Sequence, residues 1–340
     1  MVGAGGLIGS QVLARLPGAR GVRRGEALRA AVADAAVVVN CAGPLALSAP
    51  DVCAAALAAG AHYIDVGGEQ APLHELHERG ESAARHAGRL ALPGMGVDCA
   101  VGDLAAAWAA SALAGEPLTG DLVRGEPPAR VADAQELDAV TVTYVYDDLV
   151  LSAGSQRALF AATGARPLVW RRDRWEPGAG GRRVNAGAAF GGERDAMVFG
   201  GGDAITVPRH VAAASVASYV STTRSAAASG ALRFAARALP LLPERARARL
   251  VAYADPGADH TRTRFCVIAE ARRAFADARV IVRGVDPYRT TATIAAWAAR
   301  AIADRGLRGP LGVRSPAEVF RADLALRALA SEAGLVIEGP

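Results

Sequence analysis

Short, continuous apolar runs alternate with helical segments over the first 118 residues, and this alternation restricts the fold more than any other feature of the sequence. The apolar runs are AVVVNCAGP, HYIDVGG and RLALPGMG, each typical of a buried parallel strand. The helical segments are APDVCAAALAAG, a polar stretch from about Ala71 to Ala87, and VGDLAAAWAASALAG. This order predicts an α/β fold whose N-terminal part is a Rossmann-like, doubly wound parallel sheet.

The pattern changes after residue 118. The segments AVTVTYVYDD, SVASYVSTT, TRTRFCVIAEARR and ARVIVRG alternate apolar and polar residues, as half-buried antiparallel strands do. A hairpin or long loop is predicted for RDRWEPGAGGRRVNAG. We therefore predict a dinucleotide-binding domain over residues 1–118, a second α+β domain with a mostly antiparallel sheet over 119–286, and C-terminal helices over 287–340.

The composition excludes several classes of chemistry. All 38 basic residues are arginine, so Schiff-base catalysis and the Tyr-x-x-x-Lys pair of short-chain reductases have no lysine to use. The four cysteines show no C-x-x-C spacing, and we predict no metal site. The net charge of +4 is small and the arginines are dispersed, which disfavours nucleic-acid binding. No run of 18 uncharged apolar residues and no signal-peptide pattern occurs, so we expect a cytoplasmic protein without a membrane span.

Gly3, Gly6 and Gly9 form a G-x-x-G-x-x-G spacing at the start of a predicted helix. Glycine permits a tight turn, a close approach of backbone N–H groups to a pyrophosphate, and packing of the helix on the sheet. Alone, the spacing is equally consistent with a plain turn before a helix. Two further glycine-bearing loops, after VVVN and after YID, strengthen the interpretation as a nucleotide site. We expect the loops that carry Gly6, Gly43 and Gly67 to converge at one edge of the sheet.

The segment before the glycine loop is unusually short, because only Met1 and Val2 precede Gly3. The 27 residues between Gly9 and Val37 are also too few for two complete strand–helix units. We expect the second strand and its helix to be missing, and either the true start to lie upstream of Met1 or the sheet to be rebuilt around a gap. In the first case the cofactor site functions, and in the second it is vestigial.

Several blocks of the sequence resemble the saccharopine dehydrogenase-like NAD(P)-binding reductases. These are AAVVVNCAGP, AGAHYIDVGGE and LPGMGVDCAVGDLAAA, followed by FGGGDAITVPRHV, VRGVDPYRTTATIAAWAARAI and SPAEVF. The resemblance implies a Rossmann domain, a central domain that carries dimerisation and substrate contacts, and a tail that packs back on the first domain. It also implies hydride transfer with NADPH or NADH, to or from a C=N or a C=C bond.

The candidate catalytic residues are Asp98, on the loop after a parallel strand, His210 as a proton donor, and Tyr63 as a phenol. A hydrogen-bonded structural role is the alternative for His210. Asp103 is a second acidic candidate for direct chemistry, but we expect it to cap the helix that begins at Leu104, and we expect Asp286 to cap the closing helix.

The binding residues are predicted from the same loops and blocks. The predicted cofactor-binding residues are Gly3, Gly6, Leu7, Ile8, Gly9, Arg24, Asn40, Cys41, Ala42, Gly43, Pro44, Asp65 and Gly67. The predicted substrate-binding residues are Met95, Asp203, Arg209 and Tyr288. Arg20, Arg23 and Arg24 lie close enough to bind a cofactor phosphate, or else are solvated arginines at a helix start. His74 and His77, three residues apart, could share a metal ion, but a solvated helix face is favoured for them.

The leading hypothesis is an NAD(P)H-dependent reductase of a C=N or activated C=C bond in a small or carrier-tethered metabolite, with NADP favoured over NAD and a homodimer among the expected assemblies. The alternative is a chain that keeps the fold but serves a non-redox biosynthetic step or a binding role. A third interpretation is a lipid-surface role through a basic helix near Leu232–Leu250. The sequence does not identify the substrate or the direction of the reaction.

Overall fold

The computed structural model describes residues 1–23, 25–161, 166–222, 259–304 and 310–340. Its N-terminal part contains α1 (Leu7–Ala14), α2 (Leu28–Ala31), β1 (Val37–Asn40), α3 (Leu45–Ala58), β2 (His62–Asp65), α4 (Gln70–Glu75), α5 (Glu81–His86), β3 (Leu90–Leu92) and α6 (Gly102–Ala114). Two π-helical turns, Leu76–Gly80 and Val97–Val101, join α4 to α5 and lead into α6. The predicted Arg24 site and the predicted basic helix near Leu232–Leu250 lie outside these ranges.

The middle and closing parts complete the element list. The middle part contains β4 (Ala139–Asp147), α7 (Ala153–Ala161), β5 (Leu168–Arg171), β6 (Arg174–Pro177), β7 (Gly181–Asn185), β8 (Glu193–Val198), α8 (Asp203–Thr206), β9 (Ser215–Ser221), β10 (Arg264–Arg273) and β11 (Ala276–Val285). The closing part contains α9 (Pro287–Ala303), β12 (Gly312–Val313), α10 (Pro316–Val319), α11 (Ala322–Ala333) and β13 (Val336–Glu338).

The first sheet is parallel, with strand order β1-β2-β3-β12. Its strands are short apolar runs and are buried, so the predicted Rossmann-like parallel sheet is confirmed. Val2 forms a parallel bridge beside β1, with its N–H 2.9 Å from the carbonyl of Val39. On the other side, the N–H of Val22 lies 2.7 Å from the carbonyl of Met1. Met1 and Val2 therefore fill the position of a strand between β1 and the segment that contains Val22.

Within the described residues, the second sheet has nine strands, with the path β13-β11-β10-β4-β9-β5-β6 and the β7–β8 pair attached through β9. It is mostly antiparallel, as predicted, but β4 and β9 pair in parallel. The stretch RDRWEPGAGGRRVNAG is not one hairpin, because β6 pairs with β5 and β7 pairs with β8. Arg172 and Asp173 turn the β5–β6 hairpin with φ of 46° and 65°.

One hydrophobic core joins the two sheets. It contains Ile64 from the first sheet, Phe265 from the second, Trp297 from α9 and Leu326 from α11. The alanine-rich α6 runs through this core, and small side chains allow it to pack closely on β10 and β4. Together with its preceding turn it forms Val97–Ala114, the one helix in the described ranges long and apolar enough to cross a membrane, with mean hydropathy 1.3. Since 72% of that window is buried, its apolar surface is used inside the fold.

The C-terminal segment packs against both sheets. β12 pairs with β3 in the first sheet, and β13 pairs with β11 in the second. α9 packs against α1, and α11 packs against α6. The domain boundaries at residues 118 and 286 stay predictions.

Candidate active site

The loop Gly3–Gly6 leads from the sheet directly into α1. Gly3 has φ of +78°, and a Cβ there would lie 2.6 Å from the carbonyl carbon of Cys41. A Cβ on Gly9 would collide with the carbonyl oxygen of Gly3, so glycine is required at both positions. By contrast, no heavy atom lies within 4 Å of a Cβ placed on Gly5. The loop is therefore tight on its protein side and open on its other side, in front of the N-terminus of α1.

The loop after β1 is held by its own polar side chains. The Oδ1 atom of Asn40 accepts the N–H of Ala42 at 3.0 Å, and the hydroxyl of Ser48 donates to the Ala42 carbonyl at 2.5 Å. Gly43 precedes Pro44 through a cis peptide bond, and the space where its Cβ would stand is open. The predicted cofactor residues 40–44 thus form an ordered loop beside Gly3 with an unobstructed outer surface.

Asp65 connects the loops that follow β2 and β3. Its Oδ1 atom accepts the N–H of Gly67 at 3.1 Å and the N–H of Gly94 at 2.9 Å, while Oδ2 accepts the hydroxyl of Tyr63 at 2.9 Å. Burial raises the pKa of Asp65 to about 6. Tyr63 is completely buried and also accepts an N–H from Asn40 at 3.3 Å. The Tyr63 hydroxyl therefore joins Asn40 at the end of β1 to Asp65 at the end of β2, and its catalytic role stays a prediction.

The loops contact one another in sequence along this edge. Gly3 meets Cys41, the buried side chain of Leu45 packs against Gly67, and a Cβ on Gly68 would lie 2.7 Å from the carbonyl oxygen of Asp98. The structure therefore brings the loops of Gly6, Gly43 and Gly67 side by side at the carboxyl end of the parallel strands, which is where nucleotides bind in sheets of this kind.

Asp98 lies at the end of this row of loops, in the π-helical turn Val97–Val101. Asp98 as a residue is exposed, while its contact with Tyr146 is partly buried. One carboxylate oxygen accepts a hydrogen bond from the hydroxyl of Tyr146 on β4. Burial raises the pKa of Asp98, and the Tyr146 hydrogen bond opposes that shift. Asp98 is thus an accessible carboxyl group between the two sheets.

His210 is almost completely buried, and its Nε2 atom lies 2.8 Å from Oδ1 of Asp103. The other oxygen of Asp103 accepts the N–H of Ala317 at 2.8 Å. The prediction that Asp103 caps α6 is wrong, because the helix continues from the Val97–Val101 turn and leaves no free helix start at Leu104. His210 has the environment of the structural alternative, and its proton-donor role stays a prediction.

Two of the predicted substrate residues lie inside the protein. Asp203 is fully buried and accepts hydrogen bonds from the hydroxyls of Tyr144 at 2.9 Å and Ser218 at 3.0 Å. Burial raises the pKa of Asp203 well above its usual value. Met95 is also fully buried and belongs to the hydrophobic core.

The other two predicted substrate residues are committed to protein partners. Arg209 donates to Glu318 at 3.1 Å, which ties the turn Val207–Arg209 to the C-terminal segment. The hydroxyl of Tyr288 accepts the N–H of Ser152 at 2.8 Å and donates to Ser155 at 3.0 Å. Tyr288 nevertheless lies near Tyr146, the hydrogen-bond partner of Asp98.

The helix face that carries the two histidines is not solvated as predicted. His77 is 7% exposed, and within the residues that the structure describes neither ring nitrogen has a hydrogen-bond partner. Burial lowers its pKa well below the usual value. The ring of His74 packs edge-to-face on Trp175, with centroids 4.7 Å apart.

Sequence reasoning missed Tyr146 and Gly5. The alternation in AVTVTYVYDD puts Tyr144 and Tyr146 on one face of a strand, and this pattern is the signal that could have singled them out as a pair. Which carboxylate each tyrosine meets depends on long-range packing. Gly5 was not singled out because it does not belong to the G-x-x-G-x-x-G spacing of Gly3, Gly6 and Gly9.

No protein-family model and no curated protein matches the chain. Among solved structures, apo saccharopine dehydrogenase (L-Glu forming) from Saccharomyces cerevisiae aligns with a TM-score of 0.58 and 14% identity, over 98% of this chain and 92% of that one. DAP dehydrogenase from C. glutamicum, in complex with DAP, aligns with a TM-score of 0.48 and 14% identity, over 97% of each chain. Biliverdin reductase from Synechocystis, in complex with biliverdin and NADP+, aligns with a TM-score of 0.36 and 11% identity, over 98% of each chain.

The first of these similarities shows the fold. The chain shares the two-sheet fold of saccharopine dehydrogenase, which is the fold that the sequence resemblance implied. More specifically, its fold is shared with yeast saccharopine dehydrogenase along nearly the whole of both chains.

Proposed function

We propose that the chain is an NAD(P)H-dependent oxidoreductase that reduces a C=N or activated C=C bond of a small or carrier-tethered metabolite. The observation that carries this proposal is the continuous row of glycine loops at the carboxyl edge of the parallel sheet, open at Gly5 and Gly43 and ending at the exposed Asp98. The fold shared with saccharopine dehydrogenase supports it. A cytoplasmic location and a homodimer are part of the proposal.

The residues at this edge fit a dinucleotide. The first N–H groups of α1, at Leu7, Ile8 and Gly9, point out of the helix start and suit a pyrophosphate. The Ala42–Pro44 loop would border the cofactor, and the Gly67–Gly68 loop would bring its nicotinamide towards Asp98. When bound, the nicotinamide supplies the hydride, and the protein orients the reactants and excludes water.

NADP is the favoured cofactor in this proposal. Gly21 packs so closely on Ala4 of the glycine loop that a Cβ there would lie 2.7 Å from the Ala4 methyl group. Arg23 follows two residues later and is exposed, and we assign its guanidinium group to a 2′-phosphate, which arginine binds well. Arg20 is less suited, because it donates to the carbonyl of Ala31 at 2.6 Å.

The test is cofactor binding by thermal shift, with NADPH and NADH, on the wild-type chain and on Gly5→Ala. A bound cofactor at a hundredfold excess over Kd stabilises the fold by about 2.7 kcal/mol. Because the space at Gly5 is open, Gly5→Ala is expected to keep the stability of the unliganded protein and to weaken NADPH binding at least tenfold.

Gly154→Ala is the matched control, since Gly154 lies in α7, where a Cβ makes only ordinary contacts. It is expected to bind NADPH as the wild type does. Absence of a shift with either cofactor in the wild type contradicts the proposal and favours the non-redox alternative. Equal NADPH affinity in Gly5→Ala and the wild type contradicts the assigned position of the pyrophosphate.

A further inference from the structure

Two helix N-termini lie side by side at the carboxyl edge of the parallel sheet. α1 begins at Leu7 after the Gly3–Gly6 loop, and α3 begins at Leu45 after the Gly43–Pro44 pair. The residue before each helix provides no side-chain cap, and neither helix has an acidic residue in its first turn. Each helix therefore needs partners from elsewhere for its first N–H groups, which form the positive end of its dipole.

The start of α3 is occupied by a carboxylate of the protein itself. Glu69, on the loop after β2, has one carboxylate oxygen 3.4 Å from the backbone nitrogen of Leu45 and the other 3.4 Å from that of Ala46. The N–H of Leu47 donates to the carbonyl of Pro44 at 3.1 Å. Because the two Glu69 contacts are long, the interaction is chiefly that of a negative charge with the helix dipole. An anionic ligand would have to displace Glu69 to reach these N–H groups.

The start of α1 has no such partner. The N–H of Ser10 donates to the carbonyl of Gly6 at 3.0 Å, as in a regular helix. The N–H groups of Leu7, Ile8 and Gly9 have no acceptor among the residues that the structure describes. An anion that enters this edge of the sheet therefore meets free donors at α1 and a fixed negative charge at α3.

The position of Glu69 is fixed on both sides along the chain. Two residues before it, Gly67 packs so closely on Leu45 that a Cβ there would lie 2.1 Å from the Cδ1 atom of the leucine. Immediately after it, Gln70 donates to the carbonyl of Leu168 at 2.8 Å. Burial raises the pKa of Glu69, and the hydrogen bonds from α3 oppose that shift, since they favour the charged carboxylate.

We propose that Glu69 is a positioning residue that excludes anionic groups from the start of α3 and so directs the cofactor pyrophosphate to the start of α1. This inference rests on the proposed function and adds the orientation of its cofactor. With the pyrophosphate at α1, the uncharged nicotinamide riboside of NADPH follows the loops of Gly43 and Gly67 towards Asp98. The negative charge of Glu69 makes the reverse orientation, with phosphates at α3, unfavourable.

The experiment follows the backbone amides of Leu7 and Leu45, the first N–H groups of α1 and α3, by NMR of protein labelled with 15N-leucine. Leu7→Met and Leu45→Met identify the two resonances, because exchange of leucine for methionine disturbs packing little. Inorganic pyrophosphate and NADPH are added separately at about pH 8, where Glu69 is ionised. In the wild type, each probe is expected to shift the Leu7 resonance, and pyrophosphate is expected to leave the Leu45 resonance in place.

Substitution of Glu69 is expected to open the second helix start. In Glu69→Ala, pyrophosphate is expected to shift the Leu45 resonance as well as that of Leu7, because a second pyrophosphate binds at α3. Glu69→Gln keeps an oxygen acceptor without the charge and is expected to show a smaller shift at Leu45. Glu75→Ala is the matched control, since Glu75 lies on the adjacent α4 and pairs with Arg79 at 3.0 Å. This control is expected to respond to pyrophosphate as the wild type does.

The outcomes separate this inference from the proposed function. A Leu45 resonance that pyrophosphate shifts equally in the wild type and in Glu69→Ala overturns the inference. A Leu45 resonance that moves in neither protein also overturns it and leaves Glu69 as a structural cap of α3. A wild-type Leu7 resonance that pyrophosphate does not shift overturns the assigned orientation.

Cofactor binding is judged separately from the role of Glu69. A wild type in which NADPH shifts neither leucine resonance and gives no thermal shift overturns the proposed function. The pyrophosphate response at Leu45 still decides in that case whether Glu69 excludes anions from α3. Thermal unfolding shows whether each variant is folded, and Glu69→Gln supplies the comparison if Glu69→Ala is not.

Discussion

Asp65 shows how one buried side chain organises the sheet edge. Its carboxylate accepts two backbone N–H groups from different loops and the hydroxyl of Tyr63. Hydrogen bonds to a charged acceptor are stronger than neutral ones, but the removal of a carboxylate from water is costly. Burial is the larger of these effects on Asp65, because its pKa is raised to about 6 and not lowered.

The raised pKa gives a pH-dependent stability. The folded protein holds the Asp65 proton more tightly than the unfolded chain does. Protonated Asp65 therefore stabilises the fold fully at a pH below the unfolded pKa, and this stabilisation is lost as the pH rises to about 6. Asp65→Asn keeps an oxygen acceptor but has no carboxyl group to ionise, so its stability does not fall with rising pH in this way. As the pH rises from about 4 to about 7, the free energy of unfolding of Asp65→Asn is expected to gain about 3 kcal/mol on that of the wild type, because only the wild type is destabilised by ionisation. Urea unfolding at several pH values measures this, and a pH-independent difference contradicts it.

The N-terminus of helix α9 is formed by residues whose roles follow from the sequence near them. As the sequence predicted, Asp286 caps it, with its carboxylate accepting the N–H of Arg289 at 3.0 Å. Pro287 occupies the first helical position, where a missing N–H costs nothing. Asp286 also has φ of +56°, a conformation that asparagine and aspartate tolerate better than other non-glycine residues.

Substitutions of Asp286 test its two properties, the capping oxygen and the tolerance of a positive φ. Asp286→Asn retains a capping oxygen and the tolerance of a positive φ, so its free energy of unfolding is expected to stay within about 0.5 kcal/mol of the wild type. Asp286→Ala loses both and is expected to cost about 1–2 kcal/mol. Equal stabilities of the two variants in urea unfolding would refute this account of the helix start.

At the scale of the molecule, the two sheets behave as one body because they share a core and polar contacts. Gln70 on α4 donates to the carbonyls of Leu168 at 2.8 Å and Gly201 at 2.9 Å, and accepts the N–H of Leu168 at 2.8 Å. This buried amide pairs with three backbone groups, two on Leu168 of β5 and one on Gly201 in the loop after β8, and so links the two parts of the molecule.

Removal of that link is expected to weaken the whole molecule. Gln70→Leu conserves volume but leaves three backbone groups unpaired, so a loss of about 2–4 kcal/mol is expected. Because the core is continuous, calorimetry is expected to show one unfolding transition in the wild type. Gln135→Leu, at an exposed glutamine, is the control and is expected to change stability little. Two separate transitions in the wild type would contradict the single cooperative unit.

Local patterns were sufficient for much of the architecture. The apolar runs around Val38 and Ile64 predicted parallel strands because only a sheet covered on both faces buries every side chain of such a run. The glycine spacing predicted the turn before α1, because a Cβ on Gly9 is excluded by Gly3 of the same loop and Gly3 itself has a positive φ. Local patterns failed where contacts across the chain decided the outcome, as the predicted Asp103 cap and the predicted solvated face of His77 show.

The sequence by itself determined the two kinds of sheet, the glycine loops and the Asp286 cap, because each follows from residue periodicity or from backbone sterics within a few positions. Only the tertiary structure decided that Asp103 meets His210, that Asp203 is buried against Tyr144, and that Asp98 stays exposed beside Tyr146. Those pairings join residues up to 107 positions apart. They depend on how the second sheet packs on α6, and no local pattern encodes which buried carboxyl group meets which donor.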